Sequence, residues 1–379
     1  MLMKASMSAL RKETGEAVDR KGGIRACRPA DLEFVAALFA ETFGSYDAES
    51  KDDLLRYLRQ AYFENPWMDD AMPSLVYEQD GAVVGFLGVV PRQMRYRGKS
   101  IQAAVSSALM VRRSSSGQRN PLQGVALMQR FLRGPQDLSL TDTANESTRR
   151  LWTGCGGNVA HAYSYSWTRP LQPLATMMEL GGYGDGNLGA RIAKPFVRVV
   201  DSALGRMRGL RPGQPEYVPE EIDTETLLEL IQSVSGYSLV PQYDIQSLRW
   251  LIGMAEQSPA EGRLAKRCVR DSAGKVLGWY VYYETKGKLA RVLQLAGHPH
   301  SIRDVLNALV HDAMQAGAAA LWGRTEPRYA SFLNDQKCIF FARPWVLVQA
   351  KNPELVACFR EADAFFSGFE GELWMQVNA

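Results

Sequence analysis

Two stretches of this 379-residue chain bring together residue types that suit chemistry. The first reads Val111-Arg-Arg-Ser-Ser-Ser-Gly-Gln-Arg-Asn-Pro-Leu-Gln-Gly-Val-Ala-Leu-Met. Its Ser and Gly residues let backbone N–H groups turn inward, Arg112, Arg113 and Arg119 add positive charge, and a helix start at Pro121 presents a dipole that favours an anion. Gly124 and Ala126 leave no bulky side chain on the first helical turn, so a pyrophosphate fits there. The same composition also suits a solvated basic loop. The second stretch reads Leu140-Thr-Asp-Thr-Ala-Asn-Glu-Ser-Thr-Arg-Arg-Leu-Trp-Thr-Gly-Cys-Gly-Gly. Asn145 sits where an N-cap belongs, Thr148, Leu151 and Trp152 follow at helical spacing, and Gly156-Gly157 ends the helix. As structure alone it is a well-capped helix. His298 and His300 precede Ser301-Ile-Arg-Asp, a capping-box-like pattern, and read as loop residues.

Other chemistries find little material. The five cysteines, Cys27, Cys155, Cys268, Cys338 and Cys358, are scattered and odd in number, without a C-x-x-C pair, which suits buried thiols in a reducing compartment. With four histidines in all, no metal centre is expected. Lys+Arg 44 against Asp+Glu 41 leaves a net charge of +3, too balanced for a dedicated nucleic-acid binder, so an anionic ligand must be met locally. The hydrophobic content of 46% supplies two cores at this length. Residues 1–23 lack the apolar run of a secretory signal and read as a disordered tail. The longest apolar stretch, 81–90, is about half of a membrane span. A soluble, cytoplasmic protein is expected.

The elements that must hold these stretches follow from periodicity. A short strand from Ile24 leads to a helix start at Pro29, with Phe34, Val35, Leu38 and Phe39 at helical spacing. Two strand-like runs, 74–78 and 82–90, flank the turn Gln79-Asp80-Gly81. A strand at 101–111, a helix at 122–132, a strand at 137–141, a helix at 145–154 and a strand at 162–167 complete the series. The series then repeats. A hairpin beginning at Arg267 overlays the first, Val76 on Val269, Gly81 on Gly274, Gly85 on Gly278 and Phe86 on Trp279, an offset of 193. With Thr143 on Thr325 the offset is 182, so the second copy is 11 residues shorter, and the loop before its long helix is the expected place. Between the copies, a Gly-rich run from Gly181 and the turn-rich Arg211-Pro-Gly-Gln-Pro bracket a segment at 193–207. It carries Phe196, Val199, Val200, Ala203, Leu204 and Met207 on one face and Lys194, Arg198 and Arg206 among its polar positions. This reads as a linker helix packed on a domain, or as one that touches an anionic membrane surface.

The order of elements and both stretches resemble the GNAT superfamily of N-acyltransferases over about residues 24–171, and more weakly in the second copy from about residue 220 onward. The family's strand, basic-glycine loop and helix match 109–128. Its Asn-x-x-Ala/Ser-x-x-Leu-Tyr helix matches Asn145 to Trp152, with Thr148 in place of Ala or Ser. The resemblance implies an α+β fold of two GNAT-like domains, each a mixed, mostly antiparallel sheet flanked by helices. The first, at 24–180, would bind acyl-CoA; a linker at 181–219 would lead to a degenerate second domain at 220–379. It implies transfer of an acyl group, acetyl above all, from the CoA thioester to the primary amine of a small molecule or peptide, with no metal and no nucleic acid.

By the same resemblance, the backbone at Leu109, Met110 and Val111 would hold the pantetheine and the acyl carbonyl. Arg112, Arg113, Gly117, Gln118, Arg119, Asn120, Leu122, Gln123, Gly124 and Val125 would surround the pyrophosphate, and Asn145 and Trp152 would lie on the far side of the pantetheine. Glu41, Phe43 and Tyr46 follow the first helix, where the family binds its acceptor. Two departures stand out. Pro121 opens the Arg/Gln-x-x-Gly-x-Gly/Ala signature, with the arginines displaced upstream. Trp152 replaces the tyrosine that protonates the leaving thiolate, which leaves Tyr163 and Tyr165, on one face of the next strand, or a water. No glutamate lies at 101–111, where such proteins place a base, so Asp142 at a strand end is the candidate. A Fem-type transferase using charged tRNA, and a non-catalytic binding or scaffold protein, are the alternatives. The loop 112–120 argues against the former, while Trp152 and the absent base favour the latter.

Overall fold

The computed structural model describes residues 22–44, 48–112, 120–180, 215–258 and 261–375. Tyr46, Arg113, Gly117, Gln118, Arg119, the tail and the segment at 193–207 lie outside them.

The first half runs β1 (Gly22–Ala26), α1 (Leu32–Phe43), α2 (Ala48–Phe63), β2 (Leu75–Gln79), β3 (Ala82–Tyr96), β4 (Lys99–Val111), α3 (Pro121–Leu132), β5 (Leu138–Ala144), α4 (Glu146–Gly154), β6 (Asn158–Val159), β7 (Tyr165–Pro170) and α5 (Pro173–Leu180). The second half follows a similar order, with a short strand inserted between its first two helices. It runs β8 (Glu220–Glu221), α6 (Thr224–Gln232), β9 (Leu239–Pro241), α7 (Ile245–Glu256), β10 (Arg263–Arg270), β11 (Val276–Glu284), β12 (Leu289–Gly297), α8 (Ile302–Ala316), β13 (Ala320–Arg324), α9 (Ala330–Asp335), β14 (Ile339–Ala342), β15 (Trp345–Ala350) and α10 (Pro353–Arg360). The fold is α+β, with two mixed, mostly antiparallel sheets flanked by helices. In each sheet one central pair, β4–β5 or β12–β13, is parallel.

Local chemistry explains the elements. Asp80 and Gly81 both take positive φ (51° and 78°), the tight turn that matches strand twist in a two-residue hairpin. β3 runs past Val90 through Pro91 to Tyr96, longer than the sequence suggests. Pro91 is tolerated because β2 ends opposite Leu87 and β9 begins only at Met94. The missing N–H therefore faces a gap in the ladder, on the side where Val89 N reaches Ser74 Oγ at 3.0 Å. Helix α2, not read from the sequence, buries Leu54, Leu58, Ala61 and Tyr62 at helical spacing. Ser301 forms no capping box; its hydroxyl donates to Leu277 O at 2.8 Å.

The halves exchange strands. β5 pairs antiparallel with β15 of the second half (Val348 on Leu140), and β13 pairs antiparallel with β7 of the first (Leu321 on Arg169). One apolar core therefore runs between the sheets, from Val35, Leu58 and Val105 to Leu251, Phe359 and Trp374. Two smaller cores lie under α3 and α4 and under α8. All five cysteines are unpaired, four of them buried. No helix among the described residues is long and apolar enough to cross a membrane.

Candidate functional site

β4 and β5 are paired only from Ala103 on Leu138 to Val105 on Leu140; beyond that they splay. In the splayed part β4 carries a bulge. Phe86 faces Met110 and Gly88 faces Ser107, so β4 has one residue more than β3 there, and Ala108 takes φ 47°. A bulge residue leaves its backbone groups outside the ladder and re-aims them. The gap between the strands is thus edged by backbone polar groups from 107–109.

Past Val111 the chain reaches α3. Asn120 Oδ1 caps it, accepting from Leu122 N at 3.0 Å, and Leu122 is 72% exposed, so the helix start opens to solvent. A side chain added at Gly124 would stand 3.7 Å from Val111 and 3.8 Å from Leu151, in the space between β4 and α4. Leu109 and Val125 are half-buried and Met110 is buried. Gln123 is turned away, its amide donating to Gln79 Oε1 at 2.9 Å. Arg112 lies 3.3 Å from Glu41, joining the end of α1 to the mouth of the gap. Phe43, 48% exposed, packs at a tilt on Phe39, ring centres 4.6 Å apart. Opposite, Asn145 caps α4 by accepting from Thr148 N at 2.9 Å. Trp152 is fully buried, donates to Val348 O at 3.3 Å and packs on Phe131. Gly157 is required there, because a Cβ would fall 2.0 Å from the indole.

The C-terminal segment, which the sequence does not single out, packs on β5 through Thr141, Asp142 and Thr143. Asp142 is fully buried. Its Oδ2 takes Arg324 Nη2 at 2.7 Å and its Oδ1 takes the backbone N–H of Glu372 at 2.6 Å. Asp142 and Arg324 are 182 positions apart, so the ion pair joins β5 to the end of β13. Glu372 Oε1 accepts from both Thr141 (2.6 Å) and Thr143 (2.7 Å). Burial, then the charge of Asp142, pushes the Glu372 carboxyl up to about 7. Burial also raises Asp142, and the Arg324 guanidinium opposes it. Nearby, Tyr62 OH and Ser107 Oγ are 2.9 Å apart, and Tyr57 OH donates to Met375 O at 3.0 Å. Arg92 is buried against Trp67 and Trp374, its carbon 4.1 Å and 5.3 Å from their ring centres.

Tyr163 and Tyr165 do not share a strand face. Tyr163 belongs to the turn His161–Tyr163, is buried, and donates to Ala364 O at 2.6 Å; Tyr165 opens β7 and is 46% exposed. The aromatic alternation misled because a helical turn, stabilised by Ser164 N donating to His161 O, interrupts the run. His298 and His300 stack in the loop before α8, and His298 lines a cavity of about 370 Å³ together with Tyr237, Trp279 and Arg328. Among the described residues no group of three or more His, Cys, Asp or Glu is placed to hold a metal ion.

The second half has the corresponding splay, and there it is filled. Pairing of β12 with β13 ends at Val292 on Gly323, and Gly368 N donates to Leu293 O at 2.7 Å. A Cβ at Gly368 would lie 2.9 Å from that carbonyl, so the segment 365–368 lies tight against the strand.

No family model matches the chain, and no curated protein matches it in sequence. Solved structures do. A GCN5-related N-acetyltransferase from Kribbella flavida is 14% identical over 89% of this chain and 72% of that one, TM-score 0.54. Another from Anabaena variabilis is 12% identical over 88% and 74%, TM-score 0.56. The N-myristoyltransferase of Saccharomyces cerevisiae with bound myristoyl-CoA is 12% identical over 90% and 81%, TM-score 0.51. The splayed parallel pair with its bulged strand is thus seated in the GNAT fold, which this chain adopts over about 90% of its length.

Proposed function

We propose that the protein is an N-acyltransferase that moves an acyl group, acetyl in the first instance, from CoA to a primary amine. The observation that carries this reading is the gap between β4 and β5, with the bulge at Ala108 on one edge and the open start of α3 beyond it. An amide-bearing pantetheine arm can pair with the exposed strand edges. The bulge N–H groups polarise the thioester carbonyl, and the helix start with Arg112 receives the diphosphate. In the second half the equivalent gap is taken by 365–368, which supports one acyl-CoA per chain and a supporting role for that copy.

The acceptor nitrogen attacks the thioester carbonyl carbon. The C–N bond forms, the C–S bond breaks, and the CoA sulfur departs with the electron pair as a thiolate, which takes up the proton the nitrogen releases as it becomes an amide. Before attack the ammonium must lose a proton. Glu372 is the acceptor for it, because a carboxyl pushed up to about 7 is both basic enough and partly ionised at neutrality. Asp142, tied to Arg324 and to the Glu372 backbone, is a positioning residue. Glu41, at the mouth, faces the approaching amine.

Calorimetric titration with acetyl-CoA tests the reading, with one site per chain as the expected result. Gly124→Glu places a carboxylate between Val111 and Leu151 where the backbone has room for a side chain, and should weaken binding more than about a hundredfold. Asp304→Glu, in the first turn of the corresponding helix α8, should bind as wild type. Absence of binding, or unchanged binding in Gly124→Glu, overturns the assignment.

A further inference from the structure

We infer that Tyr62 is the floor of the acyl subsite and confines the reaction to short acyl groups, an inference that rests on the acyl-CoA reading above. The fold does not set acyl size, since solved structures that share it include both acetyltransferases and a myristoyltransferase. Size must be decided by what stands beyond the bulge.

Ser107 precedes the bulge and Gly88 faces it across the ladder, and the Tyr62 ring lies on both. Its hydroxyl is 2.9 Å from Ser107 Oγ, and a Cβ on Gly88 would come within 2.5 Å of the ring, so the ring rests directly on the strand backbone. Phe86 holds it edge-on, ring centres 5.3 Å apart, and α1 and α2 close the face with Val35, Leu38 and Leu58, all buried. An acyl chain that has its carbonyl at the bulge and continues toward this face therefore meets the Tyr62 ring. Helix α2 is packed into the core between the halves and carries Tyr57 bonded to Met375, so the ring cannot swing out without dragging the helix. Gly88 is the residue that lets the ring approach, and the hydrogen bond to Ser107 fixes its tilt.

The test measures calorimetric affinity for CoA, acetyl-CoA, butyryl-CoA and octanoyl-CoA. Wild type should bind acetyl-CoA and reject octanoyl-CoA by at least about tenfold, although each methylene buried in an open channel would be worth about a fourfold gain. Tyr62→Ala should gain octanoyl-CoA binding relative to acetyl-CoA, reversing the wild-type ranking. Tyr62→Phe keeps the ring and should keep the wild-type ranking. A wild type that binds octanoyl-CoA as tightly as acetyl-CoA overturns the inference without help from any variant, as does a Tyr62→Ala protein that binds acetyl-CoA with the wild-type ranking. If neither CoA nor any thioester binds, the acyl-CoA reading itself fails and this inference with it. Normal CoA binding without a chain-length preference defeats only the role of Tyr62.

Discussion

In the proposed reaction, proton transfer turns on Glu372. Its carboxyl is buried, receives two threonine hydroxyls and stands beside the Asp142 charge, so the uncharged form is favoured up to about pH 7. A general base works in its ionised form, so transfer should accelerate as pH rises through about 7. In Glu372→Gln that rising limb should vanish and the rate fall by about a hundredfold or more, at unchanged acetyl-CoA affinity. A pH profile of kcat/KM for the two proteins checks this; an intact limb would remove Glu372 from the role. Stability carries its own sign. A carboxyl whose folded pKa lies above its unfolded value favours the fold at low pH, and that contribution is lost as pH rises through about 7. Asp142 was legible as a candidate from its place at a strand end. Its partner Arg324 and the covering Glu372 were not, because the charges meet only across some 180 to 230 residues of chain.

The elements divide the labour. β4 and β5 splay apart, α3 and α4 begin at capped N-termini, and the turn at 370–372 packs on β5 at Asp142. That turn is built around Gly371. A Cβ there would fall 2.0 Å from the Asp142 carboxyl carbon, so the segment closes only with glycine. Gly371→Ala should push the carboxyl off Arg324 and cost about 2–3 kcal/mol of stability by denaturant unfolding. A loss well under about 1 kcal/mol would mean the segment is loosely held. The hairpins, the helix cap at Asn145 and the strand leading to the basic loop were all readable, because turn and cap chemistry is local, whereas the cap at Asn120 was not singled out. Helix α2 escaped the sequence reading although its buried residues repeat at helical spacing. Tyr163 was misassigned because strand-like aromatics there sit on a turn whose hydroxyl partner, Ala364, is far along the chain.

At the scale of the whole molecule, the exchanged strands make each half incomplete without the other. Residues 22–180 alone would leave the edge of β5 unpaired, together with the Asp142 carboxylate that Arg324 neutralises. Expressed separately, the halves should aggregate or fail to show cooperative unfolding. Co-expressed, they should associate and recover acetyl-CoA binding. A first half that folds cooperatively alone would show that β15 is dispensable.

The first hairpin, the strands around it and the cap at Asn145 follow from the sequence itself, since periodicity, glycine placement and helix caps act over a few residues. Tertiary structure decided which strands pair across the halves, that segment 365–368 packs on β12, and which groups meet the buried Asp142 carboxylate. Those outcomes depend on contacts between segments far apart in the chain, whose desolvation and charge pairing no local pattern encodes.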